Sequence, residues 1–240
     1  MRIPGWFSEA SKSTSKLIFI SEICLLFGEI RWIHIPANSS QMNSDRITPD
    51  RLNALSDGVI AIALTLLVLG IDIPTDHDFT EEGLASFLIK LEPGLIAYIM
   101  SFIIVSIYWI VHHRMFNVLK FTDRMIVLLN IVFLFSISLV PFIAKLKALY
   151  RYDALAIMIY GAGHIVTGLI LFVIWKYMLS HEDLLEAPVE KKVSRQVNIR
   201  ILILPVVSLA AIVVAFVDVH WGTYFFALIP LIYALMIRQR

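Results

Sequence analysis

The sequence of 240 residues is poor in charge and nearly without cysteine: Asp, Glu, Lys and Arg make up 16%, and Cys24 is the single cysteine. One cysteine excludes an internal disulfide framework and any CxxC metal or redox motif, and leaves the redox compartment unreadable. A net charge of +1 gives no electrostatic footprint for nucleic acid, so no such partner is expected. The chain also lacks GxxxxGK(S/T), HExxH and GxSxG motifs, and no repeat of about 20 to 50 residues is visible, so no enzyme is expected. What is abundant is apolar: 59% of residues are hydrophobic, and the mean hydropathy of +0.81 lies outside the range of a soluble globular domain. The expectation is a multi-pass membrane protein.

A spanning helix needs roughly 20 mostly apolar residues, and such runs fall at about 50–71, 94–113, 125–144, 153–175, 199–217 and 221–237. The expected fold is therefore an all-α membrane protein of six transmembrane helices, forming one domain over residues 46–240. The first span has Thr48 as N-cap, Pro49 at the first helical position and Asp50 in the first turn. Pro93 is expected to open the second span, and Thr122 with Asp123 the third. Pro141, Pro205 and Pro230 fall inside or near the ends of later spans, where neighbouring helices can satisfy the freed carbonyls.

Counting basic residues by alternating connections gives the direction. With both termini cytoplasmic, twelve of the 20 Lys and Arg fall on the inside, and only Lys90, Lys145, Lys147 and Arg151 on the outside. The loop 72–92 is acidic, carrying Asp72, Asp76, Asp78, Glu81, Glu82 and Glu92. It reads as an ordinary solvated loop, although such a mouth would also concentrate cations. Segment 177–198 reads as a solvated cytoplasmic linker with part of a surface helix. Residues 1–45, interrupted by Glu22, Glu29 and Arg31, make a poor span and a poor signal peptide. They are expected to be a dispensable extension, with Met42 beginning the working protein.

The stretch DRLNALSDGVIAIALTLLVLGI, residues 50–71, poses the functional question. Ile62, Thr65 and Leu69 are spaced i, i+3, i+7 and form one stripe. Beside it runs a line of small residues, Ala54, Gly58, Ala61 and Thr65, the spacing that lets helix backbones approach closely in lipid. Asp57 sits in this span at a cost of roughly 2.5 to 3.5 kcal/mol for a central position, less near an end. Something must offset it. Arg51, six residues earlier, is too far round the helix for an i, i+4 pair. The better partners are His112 and His113 of YWIVHHRMF, which the topology brings to the same membrane face, so a network of Ser56, Asp57 and histidine is expected.

Arg51, Leu55, Ser56 and Asp57, followed by GVIAIALTLLVLGIDIP, resemble the Arg-x-x-x-Phe-Ser-Asp signature and first helix of the transmembrane-protein-175 family of potassium channels. The likeness continues through YWIVHHRMF and LLNIVFLFSISLVPF and covers about residues 46 to 238. The motif's Phe is Leu55 here. The resemblance implies a K+-favouring cation channel of the single-repeat prokaryotic type in the cell membrane, a homotetramer with four copies of helix one around the pore and no cofactor. It also implies a narrow point built from helix one, where the matching positions are Ile62, Thr65 and Leu69. Ile62 and Leu69 rings would close by steric contact and dewetting, and a Thr65 ring would offer hydroxyls to a partly dehydrated cation.

Other polar residues have plainer readings. Asn130, Ser136 and Ser138 are expected to be interhelical hydrogen-bonders, worth about 0.6 kcal/mol each. His164 is expected to be satisfied by a neighbouring Ser or Thr. Trp109, Trp175 and Trp221 read as interfacial anchors, and Lys145 and Lys147 as snorkelling residues. Two alternatives stand beside the channel: a secondary transporter, and a membrane haem or metal protein using His112, His113 and His164. The first would usually show broken helices with polar midplane residues, and the second a facing histidine pair at equal depth.

Overall fold

The computed structural model describes residues 48–71 and 79–238. All of them lie in the second of the chain's two units, Arg46–Arg240; the N-terminal extension and Met42 lie outside the described residues. Five helical stretches are long and apolar enough to cross a membrane: Pro49–Gly70, Leu88–Phe116, Arg124–Leu149, Ala154–Ser180 and Lys191–Ala215.

α1 runs from Pro49 to Leu66 and tightens into a 3-10 turn over Leu67–Gly70. Pro49 opens it as expected, because its missing N–H is unneeded in a first turn. Thr48 occupies the N-cap, but its side chain makes no capping bond. α2, Phe79–Phe116, is far longer than the expected second span. Pro93 lies within it instead of opening it, and residues 79–92, read as loop, are helical. α3 (Arg124–Ser138) and α4 (Val140–Leu149) make the third crossing. Asp123 caps α3, accepting from the Ile126 amide at 2.8 Å. The break at Leu139 falls two residues before Pro141, which has no amide to donate to the Ile137 carbonyl.

α5 spans Ala154–Ser180 behind its own aspartate cap, Asp153, and α6 spans Lys191–Ala215 with Pro205 inside it. Together they absorb most of the expected solvated linker. What remains, between residues 181 and 190, is folded down: Leu184 and Leu185 are buried. The Lys120 amide donates to the Leu184 carbonyl at 2.8 Å and the Glu186 amide to Val118 at 3.0 Å. The last expected span is split into α7 (Val219–Phe225) and α8 (Leu228–Arg238). Pro230 accounts for the break, since it removes the donor for the Phe226 carbonyl and its ring collides with that carbonyl in a continuous helix.

The core is a contiguous apolar cluster contributed by every crossing, including Ile60, Ile104, Phe133, Ile157, Trp175 and Leu204. Trp175, read as an interfacial anchor, is buried, whereas Trp221 is exposed. Lys147 is also buried, not snorkelled: its ammonium lies over the rings of Tyr160 and Phe226 at 4.9 and 5.0 Å.

Candidate functional site: the exposed face of the first helix and its polar anchor

α1 is the least buried of the five long helices. Leu52, Ser56, Ile60, Ala63 and Leu67 form its inward line, recurring every three or four residues as one helical face must. Nearly everything else points away from the protomer. Ile62 is 60% exposed and Leu69 68%, and Thr65 lies exposed between them. Leu66, which the sequence stripe omitted, is 44% exposed and gives Ile62 and Leu69 an i, i+4, i+7 partner on the same face. The small residues Ala54, Gly58 and Ala61 are exposed as well, and a Cβ added at Gly58 would meet nothing within 4 Å. The Thr65 hydroxyl donates to the Ile62 carbonyl at 2.8 Å. That direction leaves its oxygen lone pairs available to water or a cation.

The expected single network of Ser56, Asp57 and histidine is two separate lines. In the buried one, His112 Nε2 and Asn130 Oδ1 lie 2.8 Å apart, Asn130 Nδ2 donates to Ser56 Oγ at 3.0 Å, and Ser56 Oγ donates to the Leu52 carbonyl at 2.8 Å. Since Asn130 turns its N–H toward Ser56, its carbonyl oxygen faces His112, and the pair requires the Nε2–H tautomer. The His112 ring is stacked between Phe116 and Phe133, with centroids at 4.0 and 5.1 Å. Asn130 is thus the interhelical bonder that the sequence suggests. Ser136 and Ser138 instead bond carbonyls of their own helix, Phe133 and Phe135.

In the exposed line, Asp57 Oδ1 accepts from the Trp109 indole N–H at 2.7 Å. The Trp109 ring stacks on His113 at 5.6 Å, and His113 Nε2 lies 3.1 Å from Asn117 Nδ2. The structure therefore gives Asp57 an indole donor from α2 where the sequence suggested a histidine. Asp57 stays exposed on α1, as a carboxylate can when the surface it faces is wet or polar. Arg51 is exposed in the first helical turn, apart from the buried line.

With this geometry fixed, the relatives can be read. Residues 51–141, which carry both hydrogen-bond lines, match the family model described as endosomal/lysosomal potassium channel TMEM175. A potassium channel of Chamaesiphon minutus is 33% identical over 138 residues, covering 56% of this chain and 68% of that protein. This chain belongs to the TMEM175 family. The endosomal/lysosomal proton channel TMEM175 of Danio rerio is 30% identical over 156 residues, 65% of this chain but 30% of that longer protein. The crystal structure of a lysosomal potassium-selective channel TMEM175 homolog from Chamaesiphon minutus superposes with a TM-score of 0.67 at 27% identity. It covers 78% of this chain and 97% of that one. The TMEM175 fold is therefore that of the whole membrane unit and not only of the motif region.

Proposed function

We propose that this TMEM175 protein is a potassium-favouring cation channel of the cell membrane, conducting passively through a homotetrameric pore lined by α1. Its working unit is residues 46–240, with both ends cytoplasmic, and it acts without a cofactor, K+ being the permeant ion. The observation that carries this reading is the outward apolar face of α1 on a helix whose other side is tied into the bundle. Four copies around an axis would bring Ile62, Leu66 and Leu69 into successive rings, and such rings control conduction by contact and dewetting. The small line Ala54, Gly58 and Ala61 allows the neighbouring α1 helices to approach closely. Thr65 would set its hydroxyl oxygens beside the constriction. No carbonyl cage replaces the hydration shell in this arrangement, so K+ over Na+ discrimination should be modest.

Asp57, Trp109, His113, Ser56, Asn130 and His112 hold α1 to α2 and α3, and Arg51 lies exposed in the first turn. On this reading they set the angle at which the pore helix is presented. The haem alternative finds its three histidines in separate surroundings: His112 on Asn130, His113 on Asn117 and Trp109, His164 against tyrosine rings. A proton-conducting reading is supported by the names of several vertebrate relatives, that of Danio rerio among them; the bacterial relative, more similar in sequence and matched over 68% of its own length against 30%, favours potassium.

Liposome flux separates these readings. With the purified chain in K+-loaded vesicles, K+ should leave down its gradient with no fixed coupling to H+ or Na+, and faster than Na+ under the reversed gradient. Stoichiometric exchange would establish a transporter. Proton flux without K+ flux would favour the other branch of the family.

A further inference from the structure

His164 lies near the middle of α5 and is fully buried, yet neither ring nitrogen has a hydrogen-bond partner among the described residues. The sequence suggested that a neighbouring Ser or Thr would satisfy it, and the structure corrects this. The two tyrosines around its ring are engaged elsewhere. Tyr160 stands edge-on at 4.5 Å with its hydroxyl 2.9 Å from Ser101 Oγ. Tyr108 donates to the backbone carbonyl of His164 at 2.7 Å, not to the ring. A neutral imidazole still presents one donor and one acceptor.

The helix facing this stripe has an unmet polar group of its own. Gly161, His164 and Gly168 share one face of α5. A Cβ at Gly161 would lie 3.3 Å from the Ser208 carbonyl, and one at Gly168 would lie 2.5 Å from Pro205 Cγ and 3.7 Å from the Ile201 carbonyl. The stripe therefore packs on the turns of α6 around Pro205. There the Ser208 hydroxyl is fully buried and has no partner among the described residues. Pro205 also leaves the Ile201 carbonyl without its i+4 amide donor. Unpaired polar groups at membrane depth are strongly disfavoured, because lipid offers no hydrogen bonds.

We propose that the α5–α6 seam holds bound water between the His164 ring and the Ser208 hydroxyl. Water has the matching complement. One molecule can accept from the Ser208 hydroxyl and donate to the bare ring nitrogen, and a second, on the other side of the ring, can accept from the imidazole N–H, since the two ring nitrogens point apart. The ligand is neutral water and not the permeant cation, because a cation is already there: the Lys147 ammonium lies over the ring of Tyr160 that His164 also packs against. This site lies in the protomer interior, on helices other than α1, and stands whether or not the axial pore reading does. Hydration there gives the His164 ring and the Ser208 hydroxyl the partners that the described residues do not.

The test is X-ray radiolytic footprinting of the full-chain oligomer in nanodiscs, in which hydroxyl radicals formed from bound water oxidise adjacent buried side chains. His164 should be oxidised at least several-fold faster than Phe133, an equally buried ring stacked on His112, and Ser208→Ala should reduce that rate. Thermal unfolding supplies a second reading by its sign. In a hydrated site His164→Leu removes a partner of the water and lowers Tm by several degrees, whereas in a dry site it removes unmet polar groups and raises Tm. His164 oxidation no faster than that of Phe133 overturns the proposal, as does a Tm increase for His164→Leu. Should His164→Leu fail to assemble, footprinting of the unsubstituted chain decides alone.

Discussion

Ser56 and Asp57 are neighbours in sequence, yet about 100° apart around α1, and they enter different hydrogen-bond lines. Their effects should therefore separate. Asn130→Ala strands the buried His112 ring, at about 1–3 kcal/mol for that orphaned group, and removes the donor to Ser56, whose hydroxyl keeps the Leu52 carbonyl. Ser56→Ala should be milder, since Asn130 keeps His112. Comparing the Tm of the two variants checks this, and an equal or larger loss for Ser56→Ala would contradict the buried line. Asp57→Ala and Trp109→Phe remove the two ends of one bond, so each should lower the fraction of the proposed tetramer in native mass spectrometry while leaving the K+/Na+ permeability ratio near the parent value. Full assembly and activity in both would make the exposed line dispensable. Part of this pattern was legible. Positions 108, 112 and 116 fall on one face of α2 and 109, 113 and 117 on the next, so the spacing already separated His112 from His113. That Trp109 would reach Asp57 was not legible, because it depends on how α1 and α2 are rotated against each other.

At the level of elements, hydropathy located the five long apolar helices but not their ends, and read the broken pair α7 and α8 as one span. Lipid-facing length determines what a hydropathy scan detects, whereas a helix continues as long as its backbone bonds do, into polar segments such as residues 176–180 and 191–198. Prolines show the same limit. Pro230 breaks a helix and Pro141 sits just beyond a break, while Pro93 and Pro205 are carried inside helices. Neighbours, not local sequence, decide which outcome prevails. The seam at Pro205 gives a prediction: Gly168→Ala sets a methyl group 2.5 Å from the Pro205 ring, where a rigid ring cannot yield. Overpacking of this kind costs about 1–3 kcal/mol, visible as a lower Tm. A variant as stable as the parent would mean that α5 and α6 are not so closely apposed.

At the scale of the whole molecule, one face of α1 has no partner among the described residues of the protomer. Gly58→Leu tests whether other copies cover it: the described residues leave room for the side chain, so folding should persist while the fraction of the proposed tetramer falls sharply. An unchanged tetramer would put Gly58 toward lipid. Ile62→Asn, on the adjacent stripe, should raise conductance and weaken ion discrimination by wetting the constriction, as read in single-channel records with K+ and Na+ on opposite sides. The most direct measurement uses Ile62→Cys with Cys24→Ser in the same chain, reconstituted in a planar bilayer and exposed to a water-soluble, positively charged thiol reagent. The account predicts a progressive loss of K+ current that a reductant reverses and that Cys24→Ser alone does not show. Undiminished current, with position 62 unmodified by mass spectrometry while the channel conducts, would contradict it.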